Sequence, residues 1–254
     1  MKYTYLIILS LFANYCLAQE NDSIRERIFN MLVEKAEVHN QKGLEERKNG
    51  NYNEAIELFE KAYEIVPYFF YKTNIAETHV ANSDYFSAMQ VYNGLIEEEL
   101  GKEGNGTQLS EYYLTRATYK MQLNDYRGAI SDLDKNMELM KEFILSGDHT
   151  QYSYYAKINK IQCLIELERL DEGLKLCNDL IKNCKSIIEA ENNNGLLNDW
   201  VEQAKTILPY AYEKLGLIEF HYLKDKEKAC NSWSISGEKG NANAYNLIKK
   251  YCQN

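Results

Sequence analysis

The chain has 254 residues, 45% hydrophobic and 26% charged, a composition that suits a protein with a sizeable core and excludes a disordered one. Its formal charge of −9, with no cluster of lysine or arginine, argues against nucleic acid or an anionic membrane as a partner. Two prolines and thirteen glycines are too few for a fold of strands and tight turns, so long helices are expected.

Residues 1–18 have the layout of a cleaved secretory signal: Lys2, an apolar run from Leu6 to Phe12, then Cys16-Leu17-Ala18 before Gln19. That run is far shorter than the roughly 20 residues needed to cross a bilayer. Tyr15 before Cys16 departs from lipid attachment signals, which place a small residue there. The expectation is a bacterial protein exported to the periplasm or beyond, with no stable membrane insertion after cleavage and residues 19–254 as the mature chain.

A first helix is predicted from Ser23 to about Lys48, with Ser23 and Glu26 forming a capping box and Ile24, Ile28, Met31, Leu32 and Ala36 as its apolar stripe. Its second part, from His39, is more polar, which predicts exposure where no neighbour precedes it. Gly50-Asn51 turns into the stretch NYNEAIELFEKAYEIVP, Asn51 to Pro67, where Tyr52, Ala55, Ile56, Phe59, Ala62 and Tyr63 fall on one helical stripe. The same offsets recur from Tyr85 and Tyr126, and in worn form from Leu170, the signature of an internal repeat. Helices are therefore expected over 68–81 and 85–100, 109–123 and 126–145, and 152–167 and 171–191. A long helix over 197–222 contains Pro209, which predicts a kink or a split. Helices around 227–236 and 242–252 close the chain.

Each early pair carries a small residue in its first helix and an alanine twelve residues later: Gly43 and Ala55, Ala76 and Ala88, Ala117 and Ala129. The spacing predicts that two small side chains meet where antiparallel helices cross, with a large residue four places on filling the next gap, as at Phe59, Tyr92 and Leu133. A single pair cannot bury both faces, so neighbours must stack.

The run of a small residue, Asn/Asp-Tyr-x-x-Ala, an aromatic, Ala62 and Pro67 resembles the tetratricopeptide repeat, most clearly over 36–69. Asp225-Lys226-Glu227-Lys228-Ala229, Trp233 and Gly240-Asn241-Ala242-Asn243-Ala244 resemble the related Sel-one-like repeat, with Gly216 as the small partner. The resemblance implies an all-α fold of antiparallel helix-pair repeats stacked into a right-handed α-solenoid, with repeats near 36–69, 70–102, 110–145, 152–191 and 197–240 and a capping helix at 242–252. It also implies that first helices line a partner-binding face. Carried over position by position, that face comprises Phe70, Thr73, Asn74 and Glu77, then Leu114, Thr115, Thr118 and Gln122, then Tyr155 and Asn159, then Tyr210 and Lys214. Of the lysine, arginine and asparagine set that clamps a peptide's terminal carboxylate in some relatives, only Asn74 is present.

Removal of residues 1–18 leaves five cysteines, an odd number, so at least one thiol stays free. Cys230 takes the apolar slot held by Ile56, Met89 and Ile130, and Cys252 follows Ile248 by four on the inward stripe of the last helix. A Cys230 to Cys252 disulfide is expected, the alternative being two reduced core cysteines. The four histidines are scattered, and no metal-ligand, nucleophile-elbow or phosphate-loop pattern occurs. The expectation is a non-enzymatic adaptor without cofactor, binding a protein or peptide in the cell envelope. The competing reading is capture of a small ligand or glycan by some of the 21 tyrosines.

Overall fold

The computed structural model of the chain describes the backbone of residues 2–102, 106–145, 152–194 and 198–253. Side chains are described from Ile24 onward, apart from those at 142–145, 152–153, 191–194 and 198–200. The side chains of the expected leader, and the middle of the loop over 101–107, lie outside the described residues. All regular elements among the described residues are helices: α1 Lys2–Asn49, α2 Tyr52–Ile65, α3 Phe69–Ala81, α4 Tyr85–Glu99, α5 Gly106–Gln122, α6 Tyr126–Leu145, α7 Tyr152–Glu166, α8 Leu170–Asn194, α9 Asn198–His221, α10 Lys226–Glu238 and α11 Ala242–Tyr251. The chain forms two compact units, Met1–Val91 and Tyr92–Asn254.

In the first unit α2 is the middle element, packed against both α1 and α3. One side of it meets Ala36 and Val33 of α1 and Tyr71 of α3 through Ala62 and Val66. Farther along, Ala55 and Phe59 close on Leu44 and Ile75. In the second unit each helix from α5 to α11 packs on the next, and the first helices also adjoin, α5 on α7 and α7 on α9. Its largest apolar cluster joins Ile158 and Ile161 of α7, Cys177, Leu180 and Cys184 of α8, and Ala204, Ile207, Leu208 and Ala211 of α9.

Two expectations need correction. The stripe read on the first helix is not its buried side: Ala36 is buried, but Ile24, Ile28, Met31 and Leu32 are exposed. The inward line is instead Val33, Ala36, Asn40 and Gly43, so the polar second part is the packed one. The reason is reach, since α2 has 14 residues and α1 overhangs it. Pro209 does not split α9, which continues to His221. The ~3 kcal/mol that an interior proline costs is offset by burial of Val201, Ala204, Ile207 and Leu208 beside it. At the crossing of α1 and α2, Gly43 also takes the ring of Phe59: a Cβ there would lie 2.7 Å from Phe59 Cε1. Gly216 does the same for Trp233, where a Cβ would sit 2.6 Å from the indole Cδ1. A flat ring needs bare backbone under it, which is why glycine occurs at both places.

The turns inside the pairs repeat one geometry. Gly50, Ser83, Asn124, Glu168, Lys224 and Gly240 all have positive φ, between 55° and 101°. The residue after each sends its N–H back toward the preceding helix, as from Asp84 to His79 O, Asp125 to Lys120 O and Arg169 to Leu164 O, each at 2.8 Å. Such bonds satisfy carbonyls left open at a helix end. Asp84, Asp125 and Asp225 then cap the following helix, accepting from the amides of Ser87, Gly128 and Lys228.

At the C-terminal end Cys230 and Cys252 form a disulfide, with Cα atoms 5.9 Å apart, and so tie α10 to the end of α11. A loop of this size is worth about 3 kcal/mol in the chain-entropy account. Beneath it Trp233, Phe220 and Tyr251 stack with ring centroids 4.6 to 5.8 Å apart. Cys163, Cys177 and Cys184 are reduced and buried.

Two substitutions test these features in opposite directions. Gly216→Ala should destabilise by about 1–3 kcal/mol, because Trp233 is fully buried and its Nε1 donates to Glu213 O at 3.2 Å, leaving the ring nowhere to move. Glu168 is exposed and strained at φ 56°, so Glu168→Gly should stabilise by about 0.5–1 kcal/mol. Thermal unfolding reads both at about 2–4 °C per kcal/mol, and an unchanged midpoint in either variant contradicts the packing or the turn described.

Candidate functional site

Each first helix, in the first unit and in the second, exposes its own periodic line of side chains. On α3 the line runs through Phe70, Asn74 and Glu77, on α5 through Glu111, Thr115, Thr118 and Gln122, and on α7 through Tyr155, Asn159, Gln162 and Glu166. These positions advance by four, three and four residues, so each set lies along one side of its helix. Glu77, Gln122 and Tyr155 are exposed, and Asn74, Thr115, Thr118 and Asn159 are half-buried. On α9 the counterparts are Thr206 and Tyr210, both exposed, with Lys214 half-buried.

Not every residue expected on this surface is available to a partner. Phe70 packs into the cluster around Tyr71, their ring centroids 4.1 Å apart. Leu114 packs against the cluster of Ala117, Leu133 and Leu164. The hydroxyls of Thr73 and Thr118 donate to the carbonyls of Phe70 and Thr115 at 2.9 and 2.7 Å, which leaves their methyl groups and oxygen lone pairs for contact. Lys214 reaches sideways to the buried Glu213 at 2.9 Å.

Within the first unit α3 and α1 share a polar seam. Asn74 Nδ2 donates to Asn40 Oδ1 at 2.8 Å, and Asn40 Nδ2 donates in turn to the Glu37 carboxylate at 3.2 and 3.3 Å. Two helical turns farther along α1, Arg47 meets Glu77 at 2.7 Å. Asn40 is buried, so its amide needs such partners, whereas Glu77 is more than half exposed. Asn40, Glu37 and Arg47 belong to this face but were not singled out from the sequence. The signal for Asn40 and Arg47 is the polar character of α1 after His39; Glu37 lies before it.

The second unit has polar networks of a different kind. Asp132, nearly buried on α6, is held by Arg116 at 2.8 and 2.6 Å and by Lys120 at 2.8 Å, and Arg116 also donates to Asn93 at 2.9 Å. Glu213 accepts from Asn241 at 2.6 Å, while Ser236 donates to Pro209 O at 2.7 Å. Glu219 accepts from Ser232 at 2.6 Å, and burial raises its carboxyl above the usual range. Each carboxylate is matched to donors inside the fold, which fastens helix to helix rather than preparing an acid or base for a substrate. Around Tyr210 lies a hollow of about 200 Å³, bordered by Lys205, Thr206, Pro209, Lys239 and Asn241. It is smaller than the ~300 Å³ at which small-molecule pockets begin.

The thiols are equally withdrawn. Burial pushes Cys163 and Cys177 up to about 12 and Cys184 up to about 11, so all three are protonated at neutral pH and poor nucleophiles. Among the described residues no group of histidine, cysteine and acidic side chains is placed to hold a metal ion. None of the described helices is long and apolar enough to cross a membrane.

Comparison with known proteins agrees with this geometry. Residues 36–69, which span the end of α1 through α2 to the start of α3, match the family described as tetratricopeptide repeat. No curated protein matches the chain in sequence. Among solved structures, yeast Tom70 is similar at 15% identity over 84% of this chain and 38% of its own, with a TM-score of 0.53. YrrB, described as a TPR protein with an unusual peptide-binding site, is similar at 15% identity over 87% of this chain and 97% of its own, with a TM-score of 0.52. MamA is similar at 14% identity over 80% and 96% of the two chains, with a TM-score of 0.51. At such identities the likeness is one of fold. The chain thus carries a tetratricopeptide repeat at residues 36–69 within an all-α fold of helix pairs of the tetratricopeptide type.

Proposed function

We propose that this chain is an exported, non-catalytic adaptor that binds an extended segment of another protein along the first-helix faces of its repeats. The observation that carries the reading is the run of polar and aromatic groups on the first helices within each unit: Asn74 and Glu77 on α3 in the first, and Thr115, Thr118, Gln122, Tyr155, Asn159 and Tyr210 on α5, α7 and α9 in the second. Asparagine, threonine and glutamine recognise peptide backbone through hydrogen bonds, and tyrosine adds rigid contact area. YrrB is described as binding peptide, and its fold is similar to this one. The Sel-one-like reading of the last repeat is supported by Trp233 seated on Gly216 and by Asn241 capping α11. Export rests on residues 1–18. In the periplasmic fraction the mature N-terminus should be Gln19, and an intact leader on cytosolic protein would refute export.

Peptides selected from a random display library on the purified chain provide the binding test. The variant Asn74→Ala with Glu77→Ala, and the variant Thr118→Val with Asn159→Ala, should each weaken a selected peptide about tenfold, or ~1.4 kcal/mol. The melting temperature should fall by about 2–8 °C in the first variant, which removes the Asn74 to Asn40 and Arg47 to Glu77 contacts, and by no more than about 2–4 °C in the second, which removes the Thr118 to Thr115 bond. Unaltered affinity in both variants would place the binding surface elsewhere. Preferential binding of oligosaccharides through Tyr155 and Tyr210 would favour glycan capture instead.

A further inference from the structure

The overhang of α1 leaves a second apolar line without a partner. Ile24, Ile28, Met31 and Val38 are 48%, 50%, 60% and 55% exposed. With Lys35 they follow one another at intervals of four, three, four and three residues, the alternation of a coiled-coil seam. This line faces away from Val33, Ala36, Asn40 and Gly43, which α2 covers. An isolated exposed leucine or isoleucine is ordinary, but a seam in register along one helix is not.

The charges beside the seam say what fits it. Arg27 and Glu34 are exposed, make no ion pair among the described residues, and stand seven residues apart on the same flank. We propose that the seam pairs with the same seam of a second copy, antiparallel and two-fold symmetric. In that register Ile28 of one copy packs against Met31 of the other, and Ile24 against the aliphatic stem of Lys35. Arg27 then falls beside Glu34 of the second copy, and by symmetry Glu34 beside its Arg27. Flank positions of one kind meet each other in antiparallel pairs, so opposite charges one heptad apart are self-complementary there. A parallel pair would not bring these two together. Lysine within the seam weakens the pair but helps to fix its register. Four layers over about 18 Å of helix make a small, reversible interface. The proposal does not depend on the first-helix faces and stands or falls apart from the proposed peptide binding.

Sedimentation equilibrium of the purified full chain at low salt tests it. The expected result is a concentration-dependent exchange between monomer and dimer. Ile28→Glu with Met31→Glu should sediment as monomer throughout with unchanged helical circular dichroism, because both residues are exposed in the single chain. Arg27→Glu should weaken the dimer about tenfold, since two attractions become two repulsions. Arg27→Glu combined with Glu34→Arg should restore it. The proposal is overturned by a monomer at every concentration, by a dimer that survives Ile28→Glu with Met31→Glu, or by a double charge exchange no stronger than the single one.

Discussion

A helix of this protein is stable only insofar as a neighbour covers its apolar side, and a hairpin of two helices always has a side left over. That constraint sets the arrangement of the described residues. α2 is covered by α1 on one side and by α3 on the other. In the second unit the sequence of neighbours runs from α5 to α11, with Ile161, Cys177 and Ile207 of three successive helices in one cluster. Each unit needs an ending, and α1 in the first differs from α11 in the second. At the C-terminal end Trp233, Phe220 and Tyr251 close over one another under a disulfide. At α1 the helix runs past its partner with isoleucine and methionine uncovered.

Close approach within the pairs depends on glycine and on the turn. Gly43 and Gly216 let an aromatic ring lie on the backbone of the opposite helix, and the ring fills the volume that two facing alanines would leave open. The pairs can repeat this fit because one turn recurs: a residue of positive φ, an amide returned to the preceding helix, then a cap. Four of the six turn positions carry Ser83, Asn124, Glu168 or Lys224 instead of glycine. The strain at those residues, about 1–2 kcal/mol each, is held by the packing on either side.

Much of this was legible in the sequence, for identifiable reasons. Period and spacing disclose helices and pairs because burial imposes a 3.6-residue rhythm on any half-covered helix. Cys230 could be placed because the equivalent slot in earlier repeats holds Ile56, Met89 and Ile130, and Cys252 because it follows Ile248 by four on the inward stripe of the last helix. Rotation of α1 was misread because that helix has two apolar lines, one through Val33 and Ala36 and one through Ile24, Ile28 and Met31, and only the length of α2 decides between them. The contact between Gly43 and Phe59 was also out of reach, since sequence spacing shows that two positions share a crossing but not which atoms fill it. Nothing in the local sequence marks Asp132 as the anchor for Arg116 and Lys120, because those cations come from another helix. Site residues were the least legible: Phe70 and Leu114 have the spacing of surface contacts, but neighbouring helices draw them inward.

The distribution of polar groups bears on what such a protein can do. A buried carboxylate with an altered proton affinity is commonly read as catalytic equipment. Here Asp132 and Glu213 are already satisfied by arginine, lysine or asparagine from a neighbouring helix, and Glu219 holds a serine hydroxyl. The thiols sit where ionisation is suppressed. With these buried groups committed to holding helices together, the first-helix faces offer asparagine, threonine, glutamine and tyrosine on rigid helices, with Glu77, Glu111 and Glu166 beside them. The neutral groups discriminate by shape and hydrogen-bond pattern, so the proposed recognition at these faces should depend less on salt than the proposed pairing at the α1 seam, where salt screens Arg27 from Glu34. Ionic strength therefore separates the two proposed surfaces within one protein.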